Sequence, residues 1–351
     1  MGTIRRETMG GLRCLAMGLA LALAFAAPMS NAAAEGEAPG VLSAIFENDV
    51  FLFEDDNYTT GIQISYVSGA DRGPRWLRRA VEGAGLLAAG DRLRWELGAG
   101  QQQYTPEATG VAEPLPDQHP YAAWLYATAA IYLERPAPVG AGASGGAARL
   151  TKLQANLGVV GPSALGEEAQ NTAHSVFGID RVRGWDNQLR DEPAFQFIFE
   201  QRSRRIRTLS GGRRQVSFEP HATVSLGNAL TYAAGGATVR WGGDLSGDYG
   251  PPRLRPGASG APFFEATRKW NGYLFAGAEA RGVVRNIFLD GNTFRRSLSV
   301  DKRPLTGDLY VGAVGRRGRV QISANYVYRL KEFDGQEEPD SFLATGLQLA
   351  F

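Results

Sequence analysis

The residues best suited to catalysis lie in a polar segment, Gly161 to Glu192. It holds one of only three histidines, His174, with Gln170 four residues before it and Asp180 six residues after it. An imidazole can act as a general base near neutral pH when a second group orients the ring and tunes its pKa. Gln170 and Asp180 are the candidates for that group. The sequence contains no H-E-x-x-H, so the common metalloprotease signature does not apply.

Two oxygen-rich clusters lie near the N-terminal side. Asn48 and Asp49 interrupt an otherwise apolar strand, and carboxylate and amide oxygens are what a hard cation such as Ca²⁺ selects. Alternation places Asn48 on the opposite face from Asp49, so a bulge or a local end of pairing is needed to bring them together. A solvated lumen patch is the alternative. Thr59 follows in D-D-N-Y-T-T-G (55–61), which suits a turn, although its hydroxyl could also donate to a substrate carbonyl or hold a water.

The remaining histidines have simpler interpretations. His119 precedes a proline in a loop and is expected to be solvated. His221 lies in mid-strand on a polar face and is expected to form hydrogen bonds in a lumen. Between them, Tyr121, Trp124 and Tyr126 suit an aromatic belt at a membrane interface.

The start of the chain indicates export. Residues 1–34 are typical of a secretory signal, with a basic start, an apolar run from Cys14 to Ala27 and a small-residue cleavage site. A membrane-anchoring helix is the alternative. Cys14 is the only cysteine, so the mature chain would have no disulfide and no cysteine-ligated metal. Removing residues 1–34 changes the formal charge from +1 to −1, and we expect no nucleic-acid partner.

Residues 35–351 are predicted to form one all-β domain, a transmembrane antiparallel β-barrel of about 12 strands with short helices in its long loops. The mean hydropathy is negative and no later apolar run is long enough for a helical span. The last strand alternates up to the terminal Phe351, like the closing strand of outer-membrane barrels. A soluble β-sandwich could give the same alternation. The strands are predicted at 42–52, 60–69, 92–102, 122–133, 149–160, 194–204, 215–226, 232–242, 272–283, 308–315, 319–330 and 342–351.

Three loops carry further predictions. Residues 74–89 are expected to hold a short amphipathic helix. Residues 163–175 are expected to form another, with Ser163 as N-cap and Gly178 as its stop, so that Gln170 and His174 share one face. Residues 243–262 are rich in Gly and Pro and are expected to form a mobile surface loop.

Six stretches occur in an order that resembles the outer-membrane lipid A 3-O-deacylase family. The longest, G-V-V-G-P-S-A-L-G-E-E-A-Q-N-T-A-H, is the most specific, whereas the second half of the chain matches only as strands. The stretches are F-E-N-D-V-F at 46–51, Y-T-T-G at 58–61, Q-x-x-Y-T-P at 101–106, P-Y-A-A-W-L-Y at 120–126, the longest at 158–174 and G-W-D-N-Q-L at 184–189.

The resemblance implies a twelve-stranded barrel in the Gram-negative outer membrane, with its active site between the wall and the inserted helix. The implied reaction is Ca²⁺-dependent hydrolysis of the ester that joins the 3′-acyloxyacyl group to lipid A. Its partners would be lipopolysaccharide, outer-membrane lipids and, during biogenesis, the barrel assembly machinery. Asp49, helped by Asn48, would hold the metal. The family's catalytic positions fall on His174, Gln170, Asp180, Asn48 and Thr59.

The chain departs from the family pattern where some members carry a Lys-Arg pair suited to lipid A phosphate. Residues 107–116 contain no base, and His119 stands where many members have Arg. Another basic side chain would then bind the lipid A phosphates. The candidates are Arg72, Arg75, Arg78 and Arg79. An outer-membrane phospholipase and a non-catalytic pore or scaffold remain alternative functions.

Overall fold

The twelve predicted strands all form, and they close into one antiparallel barrel in which the first strand pairs with the last. This computed structural model describes residues 40–49, 57–137, 147–254 and 260–351, so the predicted signal segment lies outside the described residues. The strands are β1 Val41–Asn48, β2 Asn57–Val67, β3 Arg92–Thr105, β4 Ala122–Arg135, β5 Ala148–Val160, β6 Glu192–Thr208, β7 Gln215–Leu226, β8 Leu230–Gly242, β9 Thr267–Asn286, β10 Leu305–Gly318, β11 Val320–Arg329 and β12 Asp340–Ala350.

Alternation along each strand separates a lumen face from an outer face. In β7, Glu219 and His221 are buried in the lumen, whereas Phe218 and Val224 are exposed on the outside. His221 Nε2 lies 3.1 Å from a carboxylate oxygen of Glu279, as expected for a lumen hydrogen bond. An apolar outer face and a polar interior are typical of a membrane barrel.

The predicted aromatic belt is wrong for Trp124 and Tyr126. Both side chains are buried on the lumen face of β4, where their rings lie 4.5 Å apart. Even-numbered residues of β4 point inward, so these rings fill the barrel instead of meeting lipid.

The strand directions define two ends of the barrel. The terminal end carries Gly40 and Phe351 together with the connections at 68–91, 209–214 and 243–266. The site end carries the connections at 106–121, 161–191 and 287–304. The predicted helical segments 74–89 and 163–175 therefore lie at opposite ends.

Residues 243–254 and 260–266 enter the lumen from the terminal end, so the prediction of a mobile surface loop is wrong for them. Tyr249 and Phe263 are buried there. The Leu254 backbone N–H donates to Glu47 of β1 over 2.9 Å, and Arg240 of β8 pairs with Asp248. Glycine and proline here let the backbone turn inside the barrel, where polar wall residues satisfy its hydrogen-bonding groups.

In the described parts of the connections lie three α-helices: α1 Arg75–Gly83, α2 Gly166–Phe177 and α3 Ile287–Asp290. Gly178 ends α2 in a left-handed conformation, as predicted. Ser163 does not cap α2, because it lies in a preceding 3-10 turn and contacts Asp191. Among the described helices, none is long and apolar enough to cross a bilayer.

Candidate active site

Helix α2 lies against the outer side of β4, outside the lumen. Ala123 points outward yet is completely buried, because the helix and its flanking turns cover it. A Cβ on Gly166 would meet the Ala123 Cβ at 2.5 Å and the Trp185 ring at 2.6 Å. Only glycine allows this close approach between helix and wall.

His174 lies in the last turns of α2 and is 7% exposed. Its Nδ1 is 2.7 Å from the backbone carbonyl oxygen of Asp180. A carbonyl can only accept, so Nδ1 carries the hydrogen and the neutral ring keeps a basic lone pair on Nε2. This is the tautomer that a general base requires. The Asp180 side chain itself is exposed, and Asp180 contacts the ring through its backbone carbonyl.

Gln170, one turn before His174, is 4% exposed. Its Oε1 accepts a hydrogen bond of 2.8 Å from the indole N–H of Trp185. Within the described chain, its Nε2 is buried with no hydrogen-bond partner. A buried amide N–H without an acceptor is costly, so this group is suited to hydrogen bonding with a bound ligand.

A row of outward residues crosses four strands and ends beneath α2. Asn48 lies opposite Thr60, Thr60 opposite Gln103, and Gln103 opposite Ala123. The row places the N-terminal cluster and the His174 segment on one part of the outer wall.

Hydrogen bonds fix the Asn48 end of this row. Asn48 Nδ2 donates to the Thr59 carbonyl at 3.0 Å and to Thr60 Oγ1 at 2.8 Å. Thr59 lies at a register shift between Tyr58 and Thr60, and its hydroxyl is 2.8 Å from that of Thr105. The strand end at Asn48 and this shift supply the break in alternation that the sequence required.

Gln101 joins β3 to the inserted segment. Its Nε2 donates to the Ala164 carbonyl over 2.6 Å, and its Oε1 accepts from Gln103 over 2.8 Å. No role was expected for Gln101, Gln103, Thr105 or Trp185 from the sequence. For the three β3 residues the signal was the outward alternation of polar side chains, which is unusual on a face that meets lipid.

The candidate metal ligands lie at the end of β1. Asp49 is 2% exposed and its backbone N–H donates to the Thr59 carbonyl over 3.4 Å. Glu47 points into the lumen, where it accepts from Tyr58. No group of three His, Cys, Asp or Glu side chains forms among the residues that the structure describes. A cation here would therefore depend on amide, hydroxyl and carbonyl oxygens besides one carboxylate, which suits Ca²⁺ better than zinc.

The predicted replacement bases for lipid A phosphate are at the wrong end. Arg72, Arg75, Arg78 and Arg79 belong to the β2–β3 connection at the terminal end. Arg183 instead lies in the inserted segment, is exposed, and donates its backbone N–H to Thr109 within the base-free loop 107–116.

His119 is buried, which corrects the prediction that it is solvated. Its ring stacks on Tyr104 with centroids 5.3 Å apart, and Nδ1 lies 2.8 Å from the Pro120 carbonyl oxygen. Burial lowers the pKa of His119 to about 4, although the hydrogen bond to Pro120 acts in the opposite direction. The ring therefore stays neutral near pH 7 and packs against the rings of Tyr104 and Phe333.

Comparison with known families decides the relationship. Residues 17–351 match the family described as Outer membrane protein LpxR. The chain belongs to this family. It is thus an outer-membrane β-barrel of the lipid A deacylase type, as the six sequence stretches indicated.

The solved structure of one family member supports the fold. LpxR from Salmonella typhimurium has 20% identity and a TM-score of 0.68, covering 89% of this chain and 100% of that chain. The β domain of the Bordetella autotransporter BrkA has 12% identity and a TM-score of 0.47, covering 90% of this chain and 100% of that one. No curated protein sequence matches.

Proposed function

We propose that this LpxR-family barrel is a Ca²⁺-dependent esterase that removes the 3′-acyloxyacyl group from lipid A. The observation that carries the proposal is the contact between the His174 ring and the Asp180 carbonyl. Its Nδ1 is committed to the Asp180 carbonyl, which leaves Nε2 as a base on the outer wall of a membrane barrel. A base in this position can reach a lipid ester, whereas a base in the lumen could not.

His174 would take a proton from the water that attacks the ester carbonyl. The Asp180 carbonyl holds the ring during this step and stabilises the imidazolium, which can then protonate the leaving oxygen. General-base assistance of this kind contributes about 10²–10⁴-fold to the rate. Gln170, whose buried Nε2 has no acceptor in the described part of the chain, would position the water or the ester oxygen.

The residues at the end of β1 fit a hard cation. Asp49 supplies the carboxylate, Asn48 an amide oxygen, and Thr59 a hydroxyl or carbonyl oxygen. When bound, Ca²⁺ would supply electrophilic stabilisation of the developing oxyanion. Asn48 also holds Thr59 and Thr60 in place through its own amide N–H groups, so it shapes the site with or without a cation.

Two alternatives use other features. A phospholipase would apply the same residues to a glycerophospholipid ester, but no observation on the described residues favours that headgroup. A pore is disfavoured because residues 243–254 and 260–266 occupy the lumen, with Tyr249 and Phe263 buried inside it.

One experiment separates these functions. Purified, refolded protein is incubated with Ca²⁺ and either lipid A or phosphatidylethanolamine, and the products are resolved by chromatography and mass spectrometry. Loss of one acyloxyacyl group from lipid A is expected. Cleavage of phosphatidylethanolamine at an equal or higher rate would support the phospholipase, and no cleavage of either lipid would support a scaffold.

A further inference from the structure

An apolar groove of about 610 Å³ lies on the outer wall, where α1 meets the strands near the terminal end. Ala129 of β4 and Ala155 of β5 form its floor, and they are direct cross-strand neighbours of Leu97 and Phe197. Small residues flanked by large ones leave a channel in a surface that otherwise meets lipid. A channel of this kind is suited to a fatty acyl chain, which would fill space that bulk lipid tails pack poorly.

Helix α1 closes the groove at the terminal end. Trp76 and Leu77 line it, and Trp76 is 68% exposed. The indole N–H of Trp95 donates to the Arg72 carbonyl over 2.8 Å, which ties the segment to the wall. The helix is strongly amphipathic, with a tryptophan beside arginines, as expected for a helix that lies in a membrane interface.

Two of the arginines in α1 are placed so that they can bind an anionic ligand. Arg78 contacts both nearby acids, Asp71 at 2.7 Å and Glu82 at 2.9 Å. Arg75 and Arg79, one helical turn apart, are exposed and form no ion pair with the residues that the structure describes. Guanidinium groups at an interface bind phosphate with bidentate geometry.

We infer that the groove and these two arginines form a binding site for one glycerophospholipid of the leaflet at the terminal end. An acyl chain lies over Ala129 and Ala155, and the lipid phosphate contacts Arg75 and Arg79. This site is separate from the candidate active site. Ala129 lies six residues beyond Ala123 along β4, which is about 20 Å at ~3.4 Å per residue. The inference does not depend on the proposed function.

Filling the groove tests the acyl-chain part. Native mass spectrometry of the detergent-solubilised barrel, titrated with phosphatidylglycerol, measures retention of a single lipid. Ala129→Phe with Ala155→Phe should lower retention about tenfold, because the two rings fill the channel and remove the packing contacts of the acyl chain. The matched control is Ala276→Phe with Ala278→Phe, which places the same rings on the outer face of β9. Equal retention in both variants would show nonspecific annular lipid and overturn the site.

Removing the arginines tests the phosphate part and does not depend on the groove variant folding. Arg75→Ala with Arg79→Ala should weaken phosphatidylglycerol binding at least about tenfold, because hydrogen bonds to charged groups are lost. Arg317→Ala with Arg319→Ala, at the same end of the barrel, should leave it unchanged. Diacylglycerol, which has no phosphate, should bind weakly, and none of the four arginine substitutions should change its binding. If inorganic phosphate displaces the lipid completely, or if both arginine pairs matter equally, the site as described is wrong.

Discussion

The structure predicts that Asp180→Asn retains most of the esterase activity. The ring of His174 is held by the Asp180 backbone carbonyl, which the substitution keeps, and the Asp180 side chain is exposed. An exposed charge contributes about 0–1 kcal/mol, so the rate should fall no more than about fivefold. His174→Ala should instead lose about 10²–10⁴-fold, because it removes the base.

Gly178→Ala provides the complementary perturbation. Gly178 has a φ of 70° and begins the turn that brings Asp180 to His174. A Cβ there would meet nothing within 4 Å, so any effect comes from the backbone conformation alone. Left-handed backbone costs a non-glycine residue about 1–2 kcal/mol. We expect the turn to move and the rate to fall about tenfold, although this substitution leaves the Asp180 carboxylate unchanged.

The assay is initial-rate fatty-acid release from lipid A by refolded protein, with barrel folding checked by heat-modifiable gel mobility. The prediction rests on the order of the three initial rates. Asp180→Asn should be faster than Gly178→Ala, and both should be faster than His174→Ala. A loss of a hundredfold or more in Asp180→Asn would refute the reasoning, since the carboxylate would then act on the ring or the substrate directly.

Three further predictions concern metal, acid and phosphate. EDTA should abolish hydrolysis, Ca²⁺ should restore it, and Asp49→Ala should lose it in both conditions; full turnover in chelator would exclude the metal-assisted mechanism. Because burial lowers the pKa of His119 to about 4, the folded state should lose stability as the pH falls from about 6.5 to 4, by roughly 3 kcal/mol. Urea unfolding at both pH values checks this, and His119→Phe should lose that pH dependence. Removing the phosphates of lipid A should slow cleavage by about 10–100-fold, as expected for the loss of one charged hydrogen bond worth ~1.5–3 kcal/mol. Rates on both substrates should show that Arg183→Ala abolishes this dependence; an unchanged dependence would point to other bases.

The strands could be predicted from the sequence because a barrel strand has one repeating requirement. Its residues alternate between lipid and lumen, and eleven of the twelve strands have ten residues or more over which to show this. The orientation of Trp124 and Tyr126 was harder, since aromatic rings suit both a lipid interface and a filled lumen. Only the register with neighbouring strands decides between those faces.

The connections could be predicted less well. The composition of residues 243–262 suggests a surface loop, but Glu47, Arg240 and other lumen groups stabilise much of it inside the barrel. The candidate site could be predicted in part. The shared helix face of Gln170 and His174 follows from their spacing. The hydrogen bonds from Trp185 to Gln170 and from Gln101 to Ala164, however, join residues that are distant in sequence. No local pattern indicates such contacts.

The most direct test of the account compares His174→Ala with the wild-type protein on lipid A. Both proteins are refolded, confirmed as barrels by heat-modifiable mobility, and incubated with Ca²⁺, and the lipid products are weighed by mass spectrometry. The account predicts loss of one acyloxyacyl group with the wild type and at least about a hundredfold slower loss with the variant. Activity of His174→Ala within a few-fold of wild type would contradict it.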